Sequence, residues 1–209
     1  MPGVRSLAAI ALAAGFTAVA PSGAGASPVL DGRARFEVIT PSLIRLEYAA
    51  DRRFEDRRTL TTDGRARTAA GFETRVTSKD RVIRTPRLTL RWRRGSGPFA
   101  RGSLRVALAG GRKLRPRPGP NPAPLGGWRR SLDIVDGPVP LHEGMLSRAG
   151  WYLLDDSDTV LLSRGGFEAR PKHDGRYQDL YLFAYGRDYA RGLRDLRTLT
   201  GAEIGRAHV

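Results

Sequence analysis

Apolar and polar residues alternate along much of this chain. From Ala34 to Thr40 (ARFEVIT), Phe36, Val38 and Thr40 lie on one side and Arg35, Glu37 and Ile39 on the other. Pro41-Ser42 then supplies a turn, and Leu43 to Tyr48 (LIRLEY) alternates again with Ile44, Leu46 and Tyr48 on one face. A period of two on both sides of a turn predicts a β-hairpin. Phe72 to Thr77, Arg81 to Thr85, Arg87 to Trp92 and Leu104 to Leu108 carry the same signal. In RLTLRW, Leu88, Leu90 and Trp92 form the inward face, and Arg87, Thr89 and Arg91 face water. Further strands are predicted at Trp151–Leu154, Val160–Leu162 and Leu180–Tyr185. Many short strands in series predict an all-β antiparallel sandwich of two stacked sheets.

The last element breaks that pattern. Asp188 is a good N-cap, and Tyr189, Leu193, Leu196 and Leu199 recur at helical spacing. Arg187, Arg191, Arg194 and Arg197 fall off the stripe, and Gly201 stands where a helix stops. One C-terminal α-helix is therefore expected after the sandwich. Asp51 to Gly71 is polar and lacks periodicity, which predicts a mobile loop. Gly110 to Gly127 is dense in Pro and Gly and reads as a polyproline-type connector.

Composition agrees with a folded chain of 209 residues, 40% hydrophobic and 27% charged. Cysteine is absent, which excludes disulfides, thiolate metal sites and cysteine nucleophiles. Arg5, the alanine-rich run Leu7 to Ala20 and the small residues of Ala24-Gly25-Ala26 read as a secretion signal cleaved after Ala26. The apolar run is too short for a stable membrane span. The net charge of +15 raises nucleic-acid binding, but the arginines are scattered and lysines are only three, Lys79, Lys113 and Lys172. An electrostatic binder concentrates both on one element, so no nucleic-acid partner is expected.

Candidate chemistry is confined to Leu125–Ser163. Asp155-Asp156-Ser157-Asp158 joins two apolar runs and reads as a turn, because Asp and Ser side chains bond the local backbone. Calcium would need six or more oxygens from spaced positions. Gly126, Gly127, Trp128, Arg129, Arg130 and Asp133 form a glycine-hinged stretch with an aromatic face and planar donors. Such a set can hold a sugar ring, or it can be a surface loop with an anchored Trp and an internal Arg–Asp pair. His142, His173 and His208 show neither ligand nor triad spacing, so no metal and no cofactor are expected.

Three blocks, LGGWRRSLD (125–133), GPVPLHEGMLSRAGWYLLDDS (137–157) and DLYLFAYGRDYARGLRDLRTLTG (179–201), occur in order and at consistent spacing. Together they resemble the N-terminal domain of glycoside hydrolase family 31, the family of α-glucosidases and α-xylosidases. Arg33–Tyr48 and Phe72–Trp92 fit more loosely, so the likeness spans about Leu30 to Gly201. The resemblance implies a galactose-mutarotase-like sandwich over 27–187 and a helix, 188–201, leading to a (β/α)8 barrel. In the family that barrel carries the aspartate nucleophile and the acid/base of a retaining mechanism acting on α-linked oligosaccharides or glycosides. After Gly201 this sequence has a single acid, Glu203, so no catalytic residue is assigned. The implied role is structural, with Trp128, Arg130 and Asp133 on a loop at the substrate entrance. A free-standing secreted carbohydrate-binding module is the alternative. Glu203–Val209 back-translates as GAG ATC GGA AGA GCA CAC GTC, the start of a common sequencing adapter, so 202–209 is expected to be a non-native tail.

Overall fold

Strand alternation becomes two sheets in the computed structural model, which describes residues 27–62, 71–127, 129, 131, 133 and 135–201. The expected secretion signal (1–26) and the expected non-native tail (202–209) lie outside the described residues. Strands β1 (Val29–Asp31), β2 (Ala34–Thr40), β3 (Leu43–Ala49), β9 (Tyr152–Asp155) and β12 (Tyr177–Phe183) form one antiparallel sheet, in the order β1-β2-β3-β12-β9. Strands β4 (Glu73–Val76), β5 (Asp80–Arg84), β6 (Leu88–Arg93), β7 (Leu104–Leu108) and β8 (Lys113–Leu114) form the other as a simple meander. A small hairpin, β10 (Leu161–Ser163) with β11 (Gly166–Glu168), stands apart. The all-β sandwich with one helix, α1 (Tyr189–Thr200), is thus the observed architecture.

The core lies between the two five-stranded sheets. Phe36, Ile44, Leu46, Leu180 and Leu182 meet Ile83, Leu90, Trp92, Leu104 and Val106. Phe99, from the turn after β6, inserts edge-on against Phe36 (centroids 5.8 Å) and tilted against Trp92 (6.1 Å). Each such side chain, once fully buried, stabilises the fold by about 1.5–3 kcal/mol.

The first sheet is covered on its outer face as well, so every residue of β3 is buried. At one end of that face, Ile39, Leu43, Tyr181, Phe183 and Tyr185 pack against Leu199 of α1. The helix has its expected cap, since the Asp188 carboxylate accepts from the Arg191 amide at 3.1 Å. Its contact stripe differs from the expected one. Leu193 is 50% exposed, whereas Gly192 and Asp195 face the sheet. Gly192 allows this, because a Cβ there would stand 2.9 Å from the Tyr185 ring.

Asp195, 3% exposed, accepts from the Thr40 hydroxyl (2.9 Å) and the Ser42 hydroxyl (2.5 Å). The β2–β3 turn and the helix are joined by these two bonds. Asp195→Ala strands two buried hydroxyls and is expected to cost about 2 kcal/mol. Urea denaturation measures the loss, and an unchanged midpoint would mean the helix docks by apolar contact alone.

Three further expectations change. β9 and β10 do not pair with each other; β9 joins β12, and β10 pairs with β11. The chain leaves the sheet at Asp156, which is turned inward and held by the Thr59 hydroxyl (2.9 Å) and Arg170 (3.0 Å). The expected Gly110–Gly127 connector begins with strand β8, two residues long and too short to show a period. The described part of the expected mobile loop, 51–62, is a strap packed over the charged half of the first sheet. Its Glu55 carbonyl accepts from Arg35 (2.9 Å) and Arg45 (2.6 Å).

Candidate functional site

The excursion between β8 and β9 carries the sugar-binding candidates. Its two ends pair, with Leu125 N–H donating to the Leu146 carbonyl and Arg148 N–H to Ala123, both at 3.0 Å. The Asn121 amide adds a bond to the Gly144 carbonyl at 2.6 Å. The described residues between 126 and 143, most of them exposed, therefore form a tongue on a stapled base. Gly127 and Gly144 bring the two sides together, since a Cβ on Gly127 would stand 2.6 Å from the Gly144 nitrogen.

The base is fastened to the sandwich through Tyr185. Its hydroxyl donates to the Met145 carbonyl and accepts from the Ser147 amide, each at 2.8 Å. Burial, partly offset by that amide and reinforced by Tyr189 and Tyr152, pushes the phenol up to about 12. An unfolded tyrosine titrates near 10. The phenol's contribution is therefore complete below about pH 10 and is lost as pH rises through about 12. At most roughly 3 kcal/mol is involved. Denaturation of wild type and Tyr185→Phe between those pH values should show a shallower alkaline loss in the variant. Parallel curves would remove the assignment.

Of the expected entrance residues, Asp133 is exposed on the tongue and accepts from the Ser131 hydroxyl at 2.6 Å. Trp128 and Arg130 lie outside the described residues. Arg129, also exposed, donates to the Ser131 and Pro140 carbonyls. An internal Arg129–Asp133 pair is therefore not what organises this loop. The Asp155–Asp158 turn forms partly as expected, with Asp155 accepting from the Ser157 amide (3.1 Å) and hydroxyl (2.5 Å). Among the described residues, no three His, Cys, Asp or Glu side chains stand close enough to hold a metal ion. No helix among them is long and apolar enough to cross a membrane.

A second constellation escaped the sequence reading. Beneath the strap, Arg45 grips Asp179 in a bidentate pair (2.7 and 2.8 Å), and Arg170 reaches the same carboxylate at 3.0 Å. Arg35 binds Glu47 (2.7 Å) and Asp56 (2.6 Å), and the Tyr177 hydroxyl donates to Glu47 at 2.8 Å. Arg45, Glu47 and Asp179 side chains are at most 1% exposed. Burial and the neighbouring Asp179 charge raise Glu47 above the usual glutamate range, against the pull of Arg45 and Arg35. Burial likewise raises Asp156, with Asp179 adding to it.

At the strap's start, Asp51 pairs with His173 (3.2 Å) and Arg53 (2.9 Å). Burial would raise the Asp51 carboxyl. The Arg53 amide, His173, the Arg53 side chain and the Asp174 amide together outweigh it and hold the group well below the usual range. The imidazole of His173 stacks on Tyr177 at 3.9 Å. Buried carboxylates sealed by arginines and a strap cannot reach a substrate, so this network clamps the sheet. The signal for it was present as acids and bases alternating on both strands of one hairpin, a pattern that a solvated face shares.

No family model matches this chain, and no curated protein matches it. Among solved structures it is similar to the GH31 dextranase of Flavobacterium johnsoniae, in a variant complexed with isomaltotriose. The identity is 13% and the TM-score 0.47, over 83% of this chain. The chain spans 26% of that protein.

Proposed function

We propose that this chain is the N-terminal sandwich domain of a secreted retaining α-glycosidase of glycoside hydrolase family 31, and that it is catalytically incompetent alone. In this reading 27–187 is the sandwich, α1 leads toward a barrel that bears the catalytic aspartates, and the tongue forms part of the substrate entrance. One observation supports it most. The three sequence blocks that carry the family resemblance, the third of them more than twenty residues beyond the second, pack as one unit. Gly127 of the first lies backbone to backbone on Gly144 of the second. Tyr185 of the third ties down Met145 and Ser147 of the second and lies against Gly192. Blocks that pack the base of this tongue against Tyr185 and Gly192 suit a domain that presents the tongue to something.

Retention of configuration needs two carboxyls about 5–5.5 Å apart across an open glycosidic bond. The buried acids described above are committed to arginines or hydroxyls and do not supply that pair. The purified chain is therefore expected to release no p-nitrophenol from p-nitrophenyl α-glucoside or α-xyloside above a buffer blank. Turnover that survives repurification would sink the proposal. Calorimetry against a panel of α-glucans separates the domain reading, which expects negligible heat, from a free-standing binding module.

A further inference from the structure

Along the chain the arginines look scattered, yet the meander gathers many of them on the outer face of the β4–β8 sheet. Alternation sends Leu88, Leu90 and Trp92 of β6 into the core and leaves Thr89, Arg91 and Arg93 outside. On β5 the outward positions include Arg84, and on β7 and β8 they include Arg105 and Lys113. The acids on this face are Glu73 and Asp80, and Asp80 is already engaged by Arg105 at 2.8 Å.

The arrangement carries an electrostatic cost. Arg91 is directly opposite Arg105 across the β6–β7 ladder. Like charges in that position destabilise a sheet. Arg105 has Asp80 to offset it, whereas the half-buried side chain of Arg91 makes no hydrogen bond or ion pair among the described residues. Arg91 also stands at the junction of two shallow depressions of about 420 and 350 Å³, which share Thr89, Arg91 and Ala107. Taken together, these neighbouring depressions make a trough on the sheet lined by Arg84, Arg91, Arg105 and Lys113, with Asp80 at one end and Val82, Thr89 and Ala107 between them.

We propose that this trough binds an anionic polysaccharide, whose carboxylates pair with Arg84, Arg91 and Lys113 of its lining and with Arg93 beside it on the same face. Guanidinium forks match carboxylates in bidentate geometry, and here arginine is used almost to the exclusion of lysine. A single-stranded nucleic acid would call for aromatic platforms. None of the described outward residues of this face is aromatic. A duplex is read by an element that enters a groove, not by the broad face of a sheet. A membrane surface would favour exposed large apolar residues beside the bases. The exposed ones, such as Leu30, Leu141, Phe167 and Leu193, lie on other elements, and Val76 of β4 is in register with Arg81 and Trp92, on the opposite face. This site is separate from the tongue and does not depend on the glycosidase reading.

Binding of the full chain to polygalacturonate at low ionic strength tests the proposal. Dextran of matched length, a DNA duplex and phosphatidylglycerol vesicles are run alongside. Polygalacturonate should bind most tightly, with an affinity that falls as salt screens the pairs. Arg84→Gln/Arg91→Gln/Arg93→Gln should weaken it about tenfold or more. The same charge removed as Arg33→Gln/Arg52→Gln/Arg164→Gln, away from the face, should leave it nearly unchanged. If the first triple variant fails to fold, Arg84→Gln alone at its exposed position should still weaken binding measurably. Equal affinity for dextran, tighter binding to DNA or vesicles, no binding to polygalacturonate, or equal effects of the two triple variants would each overturn it.

Discussion

Asp179→Ala is expected to remove about 3–5 kcal/mol of folding stability, the cost of stripping one partner from a buried ion pair. Domains of this kind are stable by about 5–15 kcal/mol, so the variant approaches the limit of folding. The substitution deletes both bonds of the Arg45 fork and the one from Arg170, while Arg45 stays 1% exposed beneath the strap. What remains near Arg45 is the Glu55 carbonyl at 2.6 Å, Glu37 at 3.4 Å and Glu47 at 3.6 Å, the last already paired with Arg35. Guanidinium chloride denaturation measures the loss. Arg57→Ala, which takes a half-exposed arginine away from Glu55 and Glu168, is the comparison and should cost less, about 1 kcal/mol. Replacing both members, Arg45→Met with Asp179→Leu, should recover part of the loss, because an apolar pair needs no compensation. Equal costs for Asp179→Ala and Arg57→Ala would show that the network does not clamp the sheet.

Gly127→Ala is expected to undock the tongue. The new Cβ would stand 2.6 Å from the Gly144 nitrogen and 2.8 Å from the Glu143 carbonyl carbon, both backbone atoms that no rotamer change can move. Overpacking against side chains typically costs 1–3 kcal/mol, and here about 3 kcal/mol or more is expected. The readout is local as well as global. Limited proteolysis should cut within 121–148 far faster than in wild type, while the meander sheet stays protected. Gly110→Ala, exposed and with nothing within 4 Å of its Cβ, should leave the cleavage pattern unchanged. A tongue equally resistant in both variants would mean the two glycines are not what closes it.

How much of this was legible beforehand follows from how local each signal is. The β2–β3 hairpin and the run β5, β6, β7 were readable, because a period of two reports which face is buried without any knowledge of the partner. The Asp188 cap of α1 was readable for the same reason, since its bond to the Arg191 amide spans three residues. The contact face of the helix was not. Leu193 is apolar at the right spacing yet half exposed, and Asp195 is charged yet buried, because Thr40 and Ser42 wait for it across the sheet. Of the entrance residues, the sequence could name Asp133 as a polar group on a loop, but not its bond to Ser131.

By itself, then, the sequence determined the class of fold, most of its strands and the cap of its helix, all of them set by short-range periodicity and turn chemistry. Tertiary structure alone decided what becomes of the charges. The alternating acids and bases of β2 and β3 would be solvated on an open sheet. Strap 51–62 and Arg170, brought in from far along the chain, turn them into a buried clamp. The outward arginines of β5 and β6 stay exposed because no described segment crosses that face. Whether a charge is sealed or solvated depends on what packs over it, and residues scores of positions away make that decision.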